Sequence, residues 1–147
     1  MIGPLIASEK MQLALRYFIA SVLLLTGLGK LLDVPGFIKV IDTYRLVPPL
    51  IQPVIAVSLV VIELKIAENL FRNINLRMTA LAATGLNIGF SFLASLTLLR
   101  GIELPNCGCF GVFWVRPLTY LTVAEDIFMV GVCVLLFKIS QKKEKPA

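Results

Sequence analysis

The sequence predicts an all-α membrane protein, a bundle of four transmembrane helices with a short amphipathic helix in its first outer loop. Three observations lead there. Hydrophobic residues make up 58% of the 147 and charged residues only 16%, with a mean hydropathy of +0.90; a soluble domain carries roughly a quarter charged residues. The apolar residues are gathered into four long stretches, and lysines and arginines stand at the ends of those stretches.

The stretches run from Leu13 to Leu32, Pro53 to Leu70, Met78 to Leu99 and Leu118 to Ile139. Each is about the length needed to cross a hydrocarbon core of ~30 Å at about 1.5 Å per residue. The first is long and lacks an A-x-A cleavage pattern, so it reads as a retained helix rather than a signal peptide. No repeat or linker divides the chain, and one domain over residues 1–147 is expected.

Charge sets the expected orientation. Lys10, Arg16, Arg72, Arg77, Lys138, Lys142, Lys143 and Lys145 fall on one side, and Lys30, Lys39, Arg45, Arg100 and Arg116 on the other. By the positive-inside rule both termini are cytoplasmic in an inner membrane, and the loops Asp33–Gln52 and Arg100–Pro117 face outward. The net charge of +5 is explained by these anchors and does not point to nucleic acid. The absence of histidine removes Ser/His/Asp and Cys/His catalysis and most zinc sites.

In the first outer loop, Phe37, Val40, Ile41 and Tyr44 recur at helical spacing opposite Lys39, Asp42 and Arg45. That pattern predicts an amphipathic helix over Phe37–Leu46, lying along the interface and closed by Pro48-Pro49. Its plainest role is to seal the top of the bundle.

The second outer loop carries the candidate chemistry. It places Cys107 and Cys109 one residue apart, with glycines at 108 and 111. A Cys-Gly-Cys pair can close a small, strained ring, and strained, exposed disulfides exchange more readily than structural ones. The same letters also fit a structural bridge or two idle thiols. A metal is disfavoured, since two thiolates need further ligands. Cys133 lies roughly 22 Å below the outer end of its helix, too far to partner them, and is expected to pack as a small apolar residue.

These letters together resemble a known family. The run Thr26-Gly27-Leu28-Gly29-Lys30-Leu31-Leu32-Asp33, then Phe37, Tyr44 and Leu46-Val47-Pro48, is similar to the first half of the MauE and wider DoxX-like membrane proteins. Glu63-Leu64 fits the family's intramembrane glutamate, and Cys107-Gly108-Cys109-Phe110-Gly111 with Arg116-Pro117-Leu118 fits its most distinctive stretch. Lys65 and Glu68 depart from the small, neutral residues usual after that glutamate. The resemblance implies a four-helix inner-membrane protein that assists maturation of a disulfide-rich periplasmic client, with a thioredoxin-like companion.

Polar residues inside the stretches cost a few kcal/mol each and mark a site or a buried pair. Glu63, Asn87, Glu125 and Asp126 are the candidates for a polar core. Glu63 is expected to be buried with a partner on the third long helix, where Thr84, Asn87, Ser91 and Ser95 form a polar stripe. These groups either fix helix packing or line a proton path or quinone pocket beneath the cysteines. Lys65, Glu68 and Arg72 read as a surface charge ladder.

The leading functional expectation is a thiol–disulfide relay through Cys107 and Cys109. An accessory subunit of a larger respiratory or photosynthetic membrane complex is the alternative, and a quinone or small-molecule carrier is a third.

Overall fold

The computed structural model describes residues 2–144, with side chains for 8–142. Lys145, which the charge count used, lies outside the described residues. Five helices follow one another: α1 (Ile2–Leu32), α2 (Val34–Thr43), α3 (Gln52–Arg72), α4 (Leu76–Leu99) and α5 (Tyr120–Glu144). No strand occurs among the described residues.

Local sequence sets the breaks. Asp33 caps α2, its carboxylate accepting the Gly36 amide proton at 2.9 Å, with Pro35 in the first turn. Arg45 takes a left-handed φ of 50°, and Pro48-Pro49 follow, so α2 stops at Thr43 rather than continuing to Leu46 as its spacing predicted. Gln52 then ties the connector down, its amide donating to Asp42 Oδ1 at 2.8 Å and to the Val47 carbonyl at 3.1 Å. The α3–α4 turn uses Asn73 and Asn75 at φ 57° and 43°, a region that asparagine tolerates better than most side chains.

The four long helices form a ring in the order α1, α3, α4, α5. Contact is extensive between α1 and α3 and between α4 and α5, and thinner where these two pairs meet. Away from the loops, Ile19, Ala20, Leu23, Ala67, Leu70, Ala80, Ala83, Cys133 and Leu136 make one packed core. The alanines let the backbones approach closely, which matters where lipid offers no hydrophobic drive between helices. Cys133 is fully buried there, as a small apolar residue.

The protein is an all-α membrane protein, but the four equivalent spans expected from the sequence are not all alike. Three segments, Ser8–Leu32, Leu76–Leu99 and Tyr120–Lys142, are long and apolar enough to cross a membrane. The fourth long helix, α3, has the length, yet it carries Glu63, Lys65, Glu68 and Arg72 within 21 residues.

α2 folds back on α3, burying Phe37, Val40 and Ile41 against Ala56 with Ile55 and Leu59 alongside. The two long loops, 33–51 and 100–119, therefore meet at one end of the bundle, where Arg100 Nη1 donates to the Tyr44 carbonyl at 3.1 Å.

Two substitutions should separate backbone strain from packing. A Cβ at Gly85 would meet nothing within 4 Å, so Gly85→Ala should stabilise α4 by roughly 0.5–1 kcal/mol. Asn75→Val should cost about 1–3 kcal/mol at its left-handed φ. Thermal unfolding in detergent reads both; shifts of the same sign would contradict this account.

Candidate functional site

The loop after α4 is held by its own backbone. The Leu118 amide donates to the Leu104 carbonyl at 2.9 Å and the Cys107 amide to the Arg116 carbonyl at 2.7 Å, pairing the two arms. Between them Asn106 braces the tip: its Oδ1 accepts the Gly108 amide proton at 2.9 Å, and its Nδ2 donates to the Gly111 carbonyl at 3.2 Å. Gly108 and Gly111 have φ of 76° and 71°, and each is also pressed against a helix. A Cβ on Gly108 would stand 2.7 Å from Val40 Cγ1, and one on Gly111 would run into the Gly29 carbonyl. Gly29 in turn faces the Phe110 carbonyl with no room for a side chain. The glycines of the α1 motif and of the cysteine motif are thus two sides of one contact.

This seating fixes the thiols. The Tyr44 hydroxyl donates to the Cys107 carbonyl at 2.5 Å. Cys107 and Cys109 are free cysteines whose Sγ atoms lie 2.7 Å apart and share a hydrogen bond. The Cys109 amide also points at Cys107 Sγ, at 3.4 Å. Cys107 is the natural thiolate of the pair. The hydrogen bond to Cys109 brings its pKa down to about 7 against the opposing effect of burial, helped by the Cys109 amide and the Arg116 charge. Cys109 is pushed far up, first by that same hydrogen bond and then by burial. Burial also raises the Tyr44 hydroxyl, keeping it a neutral donor.

Beneath the loop lies a cavity of about 230 Å³ reached by all five helices. Cys107, Cys109 and Phe110 roof it, Phe37 comes from α2 and Tyr44 from the residue after it, and Asp126 and Met129 from α5. Most of the wall is apolar, but Lys30, Glu63 and Asn87 also reach it. A larger hollow of about 710 Å³ over Asp42–Pro48 and Ile102–Pro105 is open and borders neither thiol. Among the described residues no three potential ligands gather in a metal-binding arrangement.

Lys30 and Glu63 form a buried charge pair. Their Nζ and Oε1 are 2.5 Å apart, and the residues are 2% and 0% exposed. Lys30 Nζ also sits 5.5 Å from the Phe37 ring centroid and 5.2 Å from that of Phe90, close enough for cation–π attraction. Glu63 Oε2 has no hydrogen-bond partner. Glu63 is therefore buried as expected, but its partner comes from α1, not from the polar stripe. Lys30, read from the sequence as a charge at a helix end, lies inside. The signal was there: an opposite charge in the next long apolar stretch.

The other polar candidates separate. Asn87 donates to the Ala83 carbonyl at 2.8 Å and approaches Cys133 Sγ at 3.7 Å. Thr84 and Ser95 likewise bond the turn before them, while Ser91 Oγ is buried without a partner. Asp126 borders the cavity. Glu125, expected in the polar core, is exposed and grips Arg116 with both oxygens at 2.9 and 2.7 Å, because it lies at the loop end of α5 where Arg116 can reach it.

With the site described, similar proteins can be placed beside it. The family model described as methylamine utilisation protein MauE matches residues 8–138, a range holding Lys30, Glu63 and both loop cysteines. A Paracoccus denitrificans protein described as methylamine utilization protein MauE is 29% identical over 123 residues, 84% of this chain and 66% of its own length. The chain thus spans just under two thirds of that relative. No solved structure matches.

Two measurements test the electrostatics. Alkylation of Cys107 should rise with pH around a midpoint near 7, because the thiolate reacts and its pKa is lowered to about 7. In Cys109→Ala, which removes the thiol donor, the midpoint should move upward; an unchanged midpoint would contradict the assigned hydrogen bond. Separately, Lys30→Met should destabilise by about 3–5 kcal/mol by stranding a buried carboxylate, while Lys30→Met/Glu63→Leu should recover most of that. Equal losses in the single and double variants would show that the pair does not act as a unit.

Proposed function

The chain belongs to the MauE family, and from that premise we propose that it is a membrane-embedded thiol–disulfide relay supporting disulfide formation in an extracytoplasmic client. In this reading α1, α3, α4 and α5 all cross the membrane. The charges of α3 are compatible with a span. Glu63 is neutralised by Lys30, and Lys65, Glu68 and Arg72 pair with one another at 2.9 and 2.8 Å near the helix end. Removing the buried Lys30 from the charge count sharpens the bias of positive residues toward the end away from the cysteines. The positive-inside rule then puts both termini in the cytoplasm and the cysteine loop outside the inner membrane.

The observation that carries the relay is the paired thiols with unequal proton affinities. In the oxidised pair, a client thiolate attacks Cys109, the less buried residue of the two, and Cys107 leaves as the thiolate, since the lower-pKa thiol leaves faster. The second client thiol then displaces Cys109. The client gains one disulfide, and the pair regains two thiols. A thioredoxin-like or disulfide-rich extracytoplasmic protein is the expected partner.

Given an oxidised client, the Cys109 thiol of Cys107→Ser should exchange with a client disulfide, freeing one client thiol and accumulating a mixed disulfide visible as a reducible adduct on a denaturing gel, and Cys133→Ser should form none. Should Cys107→Ser/Cys109→Ser support client maturation normally, with no adduct from either single variant, the relay fails and a non-catalytic accessory subunit of a membrane complex takes its place. Orientation has its own readout: a membrane-impermeant maleimide should label the reduced loop cysteines in intact cells, whereas labelling only after lysis would reverse the topology.

A further inference from the structure

The relay leaves a reduced pair that must pass on two electrons and two protons, and the space below the thiols is suited to their acceptor. We propose that the cavity between Cys109 and the Lys30–Glu63 pair binds the single-ring head group of a quinone. This proposal rests on the relay reading and names its electron acceptor.

Four observations converge. The cavity holds about 230 Å³, whereas an apolar cavity of about 150 Å³ already accepts a benzene ring. One set of walls contains both thiols and the buried ion pair, so a ligand there shares one cavity with the electron donor and a fixed charge. The Lys30 ammonium has three N–H donors, of which the structure assigns one, to Glu63; another can donate to a quinone carbonyl. Finally, Glu63 Oε2 is buried without a partner, an unmet acceptor at the cavity wall where a hydroquinone hydroxyl can donate.

The surroundings select the chemical class. The cavity lies within a bundle whose outer faces carry exposed residues such as Val61, Phe92 and Phe128, so its ligand must partition into lipid. It must also accept two electrons and two protons while offering oxygen acceptors to a cation. A lipid-soluble quinone meets all of these needs. The seam between α3 and α4 is thin and offers the tail a way out. The step balances: the thiols of Cys107 and Cys109 lose two protons and two electrons as their S–S bond forms, and the quinone takes both to become a hydroquinone.

The test uses the full chain in detergent and a short-tailed benzoquinone. Trp114 is the single tryptophan, and its ring is 5.4 Å from that of Phe110, which borders the cavity. Binding should quench its fluorescence saturably, and the prereduced protein should form about one hydroquinone per chain while losing both reactive thiols. Cys107→Ser/Cys109→Ser should form no hydroquinone. Ala94→Leu, which narrows the cavity, and Lys30→Met/Glu63→Gln, which removes the ion pair while leaving a polar amide, should each weaken binding at least tenfold. Two variants are used so that a folding defect in one leaves the other decisive. Absent or non-saturable quenching, or undiminished binding in either folded variant, overturns the quinone site. Client adducts that persist while quinone fails to bind would remove this inference and leave the relay standing. Quinone reduction without client adducts would keep the site and remove the protein relay.

Discussion

The buried contact between Lys30 and Glu63 constrains everything around it. Two full charges in an apolar bundle are tolerable only when paired, because each alone bears a desolvation cost of several kcal/mol. The pair therefore fixes the depth and rotation of α1 against α3. Lys30 also lies near the rings of Phe37 and Phe90, so its position is shared with α2 and α4. One residue earlier, Gly29 presents bare backbone to the Phe110–Gly111 turn. Adjacent residues of one helical turn thus hold a charge inside and a loop above it.

That arrangement links packing to chemistry. The loop can sit on α1 only because Gly29 and Gly111 lack side chains, and Gly108 gives the same clearance over Val40. With the loop seated, Tyr44 reaches the Cys107 carbonyl and the Cys109 amide reaches the Cys107 sulfur. The proton affinities of two identical thiols then diverge. As a brace alone the pair would contribute little, since closing so small a ring removes little entropy from the unfolded chain.

The long helices, the amphipathic α2 and the thiol pair were legible in the sequence because each rests on periodicity or on neighbouring residues. What was not legible depended on which face of a helix turns inward. Lys30 stands two residues before the end of α1, where a lysine ordinarily reaches water, and only its contact with Glu63 reveals that it does not. A partner for Glu63 was expected on α4, but the Asn87 amide there is taken by its own helix and by Cys133. Glu125 and Asp126 are neighbours in sequence and both border the cavity, yet only Glu125 is turned outward enough to pair with Arg116. The glycines were visible as turn formers; that two of them face each other across the fold was not.

The central claim is that Cys107 and Cys109 form a reversible couple poised to oxidise other thiols. A redox titration of the purified full chain, following both cysteines by maleimide mass shift, addresses it directly. Thiolate stabilisation favours the reduced form, so the account predicts a two-electron transition more oxidising than the about −270 mV of thioredoxin. A couple below about −300 mV, the range of structural disulfides, or two thiols that never form a bond, would contradict it.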